Sequence, residues 1–384
     1  MRQFFSEFKA FFRKGDVILL VLLLVTTAFG CLMIASATNY MGSGSYIVKQ
    51  GLGAALGVLL YIVMSSIDVD VFSENRVWLV VFNTFLLLLL IPFGTDNNTG
   101  NRSWLEIPLI PFDIQPAEIC KITYILIMAS VMTSHRGRLS SISSVAVMVL
   151  HLGLLFGLNM VLSKDAGVSL IFVFIFIGMA FAGGVSMIWF GLAGGAIAVA
   201  APFAWNYVLS QHQKNRIQVL FDPTLDPEGI DERFHSVRSL RSLTGGGFSG
   251  QGLFNGTRTQ NGELFAQHTD YIFSAIGEEL GFLGCAIVLI LMGLIVFRCI
   301  QIGRRSTDFA RKMVCFGAAS ALIFQVMVNV GMCIGVMPVI GLTLPFISYG
   351  GSSIVSLYAM LGLVSGVCAR PAAPTHERYI RPYR

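Results

Sequence analysis

The sequence is poor in charged residues. Only 12% of its 384 residues are Asp, Glu, Lys or Arg, whereas a soluble domain carries about 25%. So few ionisable side chains cannot cover a water-facing surface, which excludes a soluble enzyme and a disordered chain. The seven cysteines form no CxxC pair, so a disulfide framework or zinc site is not expected. Despite a formal net charge of +5, no basic, aromatic-rich soluble face supports nucleic-acid binding.

The sequence is instead rich in long runs of apolar residues. The chain is 55% hydrophobic and contains 30 Phe and 40 Gly, a composition that suits lipid-facing bulk and close helix packing. Because a membrane crossing needs roughly 20 apolar residues, and because lipid offers no partners to unpaired backbone, the runs predict transmembrane helices. Ten spans are predicted at 17–37, 47–67, 77–94, 116–133, 145–162, 166–183, 185–207, 271–297, 313–337 and 349–369. The sequence therefore predicts an all-α polytopic membrane protein, with residues 1–384 forming one integral membrane domain.

The distribution of Lys and Arg predicts the orientation. With the N-terminus inside, 16 basic residues fall on the cytoplasmic side and three on short external segments. The external three are Lys49, Arg102 and Lys164. Because short cytoplasmic loops carry an excess of Lys and Arg, both termini are expected in the cytoplasm. The long loop 208–270, between the seventh and eighth spans, is then expected to be extracellular and ordered against the membrane face.

Several charged residues are expected at the outer membrane surface. Glu118 and Lys121 stand three apart on one helix face, Lys164 and Asp165 join the fifth and sixth spans, and Asp270 opens the eighth span. Ionisable residues at this depth are costly and mark a cavity by default. The alternative is a structural role, in which Glu118 and Lys121 only neutralise each other's charge. Since several charges share one depth, a polar pocket open to the outside is favoured, with Lys121 expected to pair with Asp270.

One connection breaks helical continuity at membrane depth. The segment MPVIGLTLPFISYGGSSI, residues 337–354, contains Pro338, Pro345 and the pair Gly350-Gly351. Irregular backbone is tolerated there only where it is buried in protein or lines a cavity. By contrast, the run Gly245-Gly246-Gly247 lacks the ending of a phosphate-binding loop and carries no nucleotide-binding prediction.

Four blocks of sequence resemble the SEDS family (shape, elongation, division and sporulation), which includes RodA and FtsW. They are GNRSWLEIPLIPFDIQPAEICK (100–121), HQKNRIQVLFDPTLDP (212–227), AQHTDYIFSAIGEELGFLG (266–284) and LPFISYGGSS (344–353). The resemblance covers essentially the whole chain. The HQKNRI motif at the start of the long loop resembles the RodA-like elongation branch more than the division branch. Ala117 and the stretch Lys164-Asp165-Ala166-Gly167 depart from the usual family pattern.

The resemblance implies a peptidoglycan glycosyltransferase that polymerises lipid II at the outer face of the bacterial cytoplasmic membrane, together with a class B penicillin-binding protein. Asp270 is then the expected general base, and Lys121, Arg102 and Arg216 are the expected cations for the departing diphosphate. The resemblance leaves open whether the site also binds a divalent cation such as Mg²⁺ or Mn²⁺. Further expected substrate-binding residues are Trp104, Glu118, Lys164, Asp165, His268, Ser348, Tyr349, Gly350 and Gly351.

Two other classes of function are compatible with buried charge and broken helices. A transporter could move lipid-linked sugar between leaflets, and a non-catalytic scaffold could hold the penicillin-binding protein. Intact charges in the expected pocket argue against the scaffold. The transporter is distinguished from the enzyme by whether purified protein turns lipid II into polymer.

Overall fold

A computed structural model describes residues 15–42, 44–95, 101–107, 112–207, 209–226 and 233–369. The basic residues of both termini that enter the orientation argument lie outside this range, as do residues 227–232 of the long loop. In the described part, ten helices are long and apolar enough to cross a membrane, which confirms the all-α polytopic fold. Their bounds are Val17–Ala37, Ser45–Ser66, Arg76–Phe93, Pro116–Ser134, Ile142–Leu162, Ala166–Gly183, Met187–Tyr207, Ile272–Arg305, Phe309–Cys333 and Gly351–Cys368.

Shorter elements connect these spans. The third span is made of the helices Arg76–Leu88 and Leu90–Phe93, preceded by Val69–Glu74. Two-residue strands, Gly94–Thr95 and Trp104–Leu105, form an antiparallel pair. The long loop contains the helices Gln211–Phe221, Phe234–Gly246 and Thr257–Gln260. Single 3₁₀ turns occur at Asn39–Met41 and Pro223–Leu225.

The spans differ in how deeply they lie in the bundle. The fourth and tenth spans are buried over 83% of their apolar stretch, whereas the seventh, Met187–Tyr207, has no buried residue. The fourth span carries Glu118 and Lys121, so the charged pair lies on a central helix. A side chain at this position is shielded from lipid by neighbouring helices, which is the condition under which charge is tolerated in a membrane protein.

Polar contacts define the two ends of the bundle. At one end Arg298 pairs with Asp16 at 2.8 Å, and Arg311 pairs with Asp68 at 3.3 Å. At the other end Ser36 donates to Glu279, Gln115 to Asp165 and Asn329 to the backbone of Asp270. The second end also holds the long loop. It is the end that the sequence predicts to face outside, and we name it the outer end.

The eighth span is broken near its start. Gly281 has φ 65° and ψ −160° inside Ile272–Arg305, a conformation that only glycine adopts readily. Residues 282–305 rise about 36 Å, which alone exceeds the roughly 30 Å of a hydrocarbon core. The part of the helix after Gly281 is therefore long enough by itself to cross a membrane, and the helix begins at Ile272, one residue after the predicted start at 271.

The long loop pairs with the backbone that this break exposes. Gln251 N and Gly252 N donate to the carbonyls of Glu278 and Glu279 at 3.0 and 2.9 Å. Phe282 N donates to Gly247 O at 2.9 Å. A Cβ at Gly281 would lie 2.4 Å from Gly250 N. The glycine-rich run that carries no nucleotide motif thus belongs to a segment that packs against the broken helix.

Two buried carboxylates fasten the same loop. Glu278 accepts hydrogen bonds from Arg258 N at 3.0 Å and from Thr259 N at 2.9 Å, which satisfies the start of a short helix. Glu279 accepts from Ser36 Oγ at 2.7 Å and from Gln260 Nε2 at 2.8 Å. Both glutamates are fully buried. Their charges are balanced by donors rather than exposed to lipid, so they anchor the loop to the first and eighth spans.

Replacing Gly281 tests the break. We expect Gly281→Ala to destabilise the protein by at least about 2 kcal/mol, because alanine is strained at this φ and its methyl group meets the loop backbone. The matched control is Gly293→Ala in the same helix, where an added Cβ meets nothing within 4 Å. Thermal unfolding of the detergent-solubilised proteins measures both. Equal melting temperatures for the two variants would contradict the account.

Candidate functional site

An irregular segment enters the outer end of the bundle between the ninth and tenth spans. Ser348 Oγ donates to Thr269 O at 2.6 Å and accepts from Leu344 N at 2.8 Å. Gln50 of the second span donates to Ser348 O and accepts from Gly350 N, both at 3.1 Å. The amide of Gln50 is fully buried. These side chains replace the helical hydrogen bonds that the segment lacks.

The depth of this segment is set by its contact with the first span. A Cβ at Gly30 would lie 2.6 Å from Phe346 O and 2.7 Å from the Cα of Ile347, so only glycine allows the two backbones to touch. Gly30 lies seven residues before the end of its helix at Ala37, which is about 10 Å along the axis. The segment therefore reaches well below the outer end, where the prolines and glycines of the sequence predict irregular backbone.

Asp270 lies at the junction between the long loop and the eighth span. Asn329 Nδ2 donates to Asp270 O at 2.8 Å and to Leu342 O at 2.7 Å, so one amide ties the aspartate to the irregular segment. The carboxylate faces Gly341, whose Cβ position would be 3.7 Å from Asp270 Oδ2. Burial, and then the charge of Asp165, raise the pKa of Asp270 to about 6. A carboxylate with this pKa can take up a proton near neutrality.

Asp165 is the acidic neighbour of Asp270. It caps the sixth span by accepting from Val168 N at 3.0 Å, and it accepts from Gln115 Nε2 at 3.1 Å. Burial raises the pKa of Asp165, as does the charge of Glu118, although its hydrogen bonds oppose the shift. Asp165 and Asp270 therefore each favour the protonated form of the other.

Glu118 and Lys121 form a buried ion pair. The distance from Lys121 Nζ to Glu118 Oε1 is 2.8 Å, and Ser356 Oγ of the tenth span donates to Glu118 Oε2 at 2.6 Å. Among the described residues, Lys121 forms its ion pair with Glu118. The expectation that Lys121 pairs with Asp270 is therefore wrong for this structure. The helical spacing of three residues brings Glu118 within reach first. Glu118 orients Lys121, as the sequence suggests.

His268 and Tyr349 meet at the mouth of the site. Tyr349 N donates to His268 O at 2.8 Å, next to the bond between Ser348 and Thr269. Burial lowers the pKa of His268, so its imidazole is neutral at pH 7. Gly351 begins the tenth span, and a Cβ there would lie 2.4 Å from the ring of Phe112. The four residues 348–351 are thus all brought to the mouth.

The remaining predicted residues lie at the rim. Arg102 and Lys164 are exposed, and Trp104 is half-buried in the short strand pair. Ser103 Oγ donates to Ser163 O at 3.4 Å, which places this strand pair beside Asp165. Arg216 donates to Val339 O at 3.5 Å and lines a cavity of about 120 Å³ between the loop helices and residues 335–339.

Sequence reasoning missed the neutral polar residues that build the site. Gln115 N donates to Ser352 Oγ at 3.0 Å, and its side chain orients Asp165, while Gln50 and Asn329 hold the irregular segment. Two of these amides lie within predicted spans. The sequence does contain a signal for these residues, because an amide buried in an apolar helix needs a hydrogen-bond partner just as a buried charge does.

The described residues contain no group of three or more His, Cys, Asp or Glu side chains that could hold a metal ion. Asp165 and Asp270 are a pair of oxygen ligands of the kind that Mg²⁺ and Mn²⁺ prefer.

Comparison with known proteins identifies the family. A model of the FtsW, RodA and SpoVE proteins, described as cell cycle proteins, matches residues 16–371. The chain belongs to this family. It is 30% identical to the peptidoglycan glycosyltransferase MrdB of Escherichia coli K12, covering 92% of this chain and 93% of that protein. It is 33% identical to a probable peptidoglycan glycosyltransferase FtsW of Trichlorobacter lovleyi, covering 92% of this chain and 93% of that protein.

Solved structures of this family share the fold. One, of a peptidoglycan synthase complex that coordinates polymerization and crosslinking, superposes with a TM-score of 0.78 at 28% identity and covers 96% of this chain and 99% of its own. A second is rod shape determining protein RodA of Thermus thermophilus, in a form with one aspartate changed to alanine. It has a TM-score of 0.68 at 27% identity and covers 92% of this chain and 97% of its own.

Proposed function

We propose that this chain is a peptidoglycan glycosyltransferase that polymerises lipid II into glycan strands. The observation that carries the proposal is Asp270, a half-buried carboxylate whose pKa of about 6 suits a general base. It lies at the mouth of a polar site built from the second, fourth, sixth, ninth and tenth spans and the long loop. The relatives named as peptidoglycan glycosyltransferases align over nearly all of this chain.

The reaction assigns a task to each part of the site. A sugar hydroxyl of the acceptor loses its proton to Asp270 and attacks the anomeric carbon of the donor, so that a β-1,4 C–O bond forms. The bond between that carbon and the diphosphate breaks, and undecaprenyl diphosphate leaves with the electron pair. Its negative charge is stabilised by cations. Arg216 and Arg102 approach from the rim, and Lys121 from inside the site.

The proposed substrate contacts follow the depth of each side chain. Glu118 orients Lys121 through their ion pair, and the negative charge of Asp165 raises the pKa of Asp270. Ser348, Gly350 and Gly351 shape the mouth, where Gln50 holds the backbone of Ser348 and Gly350, and His268 and Tyr349 lie beside them. Lys164 and Trp104 bound the rim near Asp165.

We also propose that the site faces outward from the bacterial cytoplasmic membrane and works with a class B penicillin-binding protein. The relative whose complex coordinates polymerization and crosslinking supports a transpeptidase partner. Relatives of both the elongation and division branches match to a similar extent, so the RodA-like lean of the HQKNRI motif stays a prediction.

Asp270→Asn tests the general base. We expect the variant to be expressed and folded but to polymerise lipid II at least about 100-fold more slowly, because the amide cannot accept the proton. Polymer from labelled lipid II is measured on gels with purified protein and its penicillin-binding partner. Asp222→Asn is the control, since this exposed loop carboxylate bonds only its neighbour Thr224 among the described residues.

Two results would contradict this proposal. Polymerisation by Asp270→Asn at near the wild-type rate would remove Asp270 from the chemistry. Movement of labelled lipid II between leaflets of vesicles by the wild-type protein, with no polymer formed alongside the partner, would favour the transporter.

The pH dependence tests the electrostatics of the pair Asp165 and Asp270. Because the base acts in its ionised form, kcat/KM should fall as the pH drops through about 6. The charge of Asp165 raises the pKa of Asp270, so Asp165→Asn should move the acid limb to lower pH. Asp222→Asn should leave the limb in place. An acid limb that stays, or moves to higher pH, in Asp165→Asn would show that the two carboxylates are not coupled.

Cysteine labelling tests the orientation. Ser249 is exposed in the long loop, so Ser249→Cys should react with a membrane-impermeant maleimide in intact, wall-stripped cells. The native thiol of Cys368 is exposed at the opposite end and serves as the inner control, reacting only after lysis. Labelling of Ser249→Cys only after lysis would reverse the orientation.

A further inference from the structure

Three aromatic rings from separate parts of the chain meet at the mouth. Tyr46 starts the second span, His268 ends the long loop and Tyr349 ends the irregular segment. The ring centroids of Tyr46 and His268 are 4.8 Å apart, those of Tyr46 and Tyr349 5.1 Å, and those of His268 and Tyr349 5.7 Å. We call this group the ring cluster. All three residues are half-buried, so the cluster is partly open to ligand.

His268 and Tyr349 of the ring cluster carry no charge at neutral pH. Burial lowers the pKa of His268, so its imidazole is neutral. Burial, the neighbouring Tyr46 and the Asp113 carboxylate raise the pKa of the Tyr349 phenol, which therefore keeps its proton. Aromatic faces are weakly negative, and the phenols and imidazole can donate and accept hydrogen bonds. This combination suits an uncharged ligand with weakly positive C–H faces and hydroxyl edges, which is the chemistry of a pyranose ring.

The ring cluster is held close to the proposed base. His268 and Asp270 are two residues apart, so their Cα atoms are separated by at most about 7 Å. The bonds from Tyr349 N to His268 O and from Ser348 Oγ to Thr269 O fix the intervening backbone. A sugar on the ring cluster would therefore be a neighbour of the hydroxyl that Asp270 deprotonates.

An interfacial belt is the alternative role for these rings. Tyrosine is enriched where a membrane meets water, and Tyr207 at the end of the seventh span, with 77% of its surface exposed, fits that description. Tyr46 differs because its ring packs against two residues of the site, whereas the ring of Tyr207 packs only on Phe203 of its own span among the described rings. The difference makes Tyr207 a matched control.

We propose that Tyr46, His268 and Tyr349 form a subsite that binds a pyranose ring of the saccharide substrate, with Tyr46 as its stacking residue. The inference rests on the proposed glycosyltransferase function for its biological meaning. Saccharide binding itself can be measured without polymerisation.

The test uses the full chain in lipid nanodiscs and a soluble probe, a β-1,4-linked N-acetylglucosamine oligomer. Saturation-transfer NMR should show binding to the wild-type protein, weakened by about tenfold in Tyr46→Leu, which removes one aromatic contact. Tyr46→Phe keeps the ring and should bind within about twofold of wild type. Tyr207→Leu should bind as wild type does, and thermal unfolding should show that all variants are folded.

The same variants are then assayed with lipid II. We expect KM to rise about tenfold in Tyr46→Leu with kcat changed by less than about threefold, the pattern of lost binding energy common to the ground and transition states. No binding of the oligomer by the wild type, or equal binding by wild type and Tyr46→Leu, would overturn the subsite whether or not lipid II is polymerised. Oligomer binding that depends on Tyr46, in a protein that forms no polymer, would keep the subsite and refute the enzyme.

Discussion

The outer end depends on supplying hydrogen-bond partners to backbone that is neither helical nor exposed to water. Two amides each meet part of this need twice: Gln50 bonds both Ser348 and Gly350, and Asn329 bonds both Asp270 and Leu342. An unmade buried hydrogen bond costs about 1–3 kcal/mol, so the positions of these backbones are strongly determined. Because Asn329 holds Asp270 and the irregular segment together, the constraint that stabilises the fold also positions the proposed base.

The break at Gly281 follows the same principle with different donors. The long loop supplies backbone partners to the broken helix, and the carboxylates of Glu278 and Glu279 receive donors from the loop and from Ser36. Residues 272–280 are therefore fixed at both ends, by Asn329 beside Asp270 and by the first span at Glu279. A loop fastened in this way is a rigid support for catalysis, which gains when reacting groups are positioned before substrate arrives. The seventh span is the least buried of the ten described spans.

Hydropathy and charge position were sufficient to predict ten spans, the long loop and the charged residues of the outer end. They did not reveal the break at Gly281, because hydropathy averaged over a span is insensitive to one residue's backbone angles. The roles of Gln50 and Asn329 were not predicted, because a single neutral amide barely alters the mean hydropathy of a span. The structure brings Asp270 close to Asp165 and to the segment of Ser348 and Tyr349, whereas their roles in the reaction stay predictions. Arg102 and Lys164 were included as site residues, but exposed side chains at the rim have no local pattern that specifies their direction.

The misassigned partner of Lys121 bears most directly on the chemistry. Had Lys121 paired with Asp270, its positive charge would favour the ionised carboxylate and lower the pKa of Asp270, which would make a weaker base. The structure instead pairs Lys121 with Glu118 at 2.8 Å and places Asp165 near Asp270, so the pKa of Asp270 rises to about 6. Since an effective general base has a pKa close to the working pH, the separation of the two pairs suits Asp270 to its proposed role. In the proposed reaction, Glu118 then also holds the buried Lys121 side chain in place until an anionic diphosphate can compete for it.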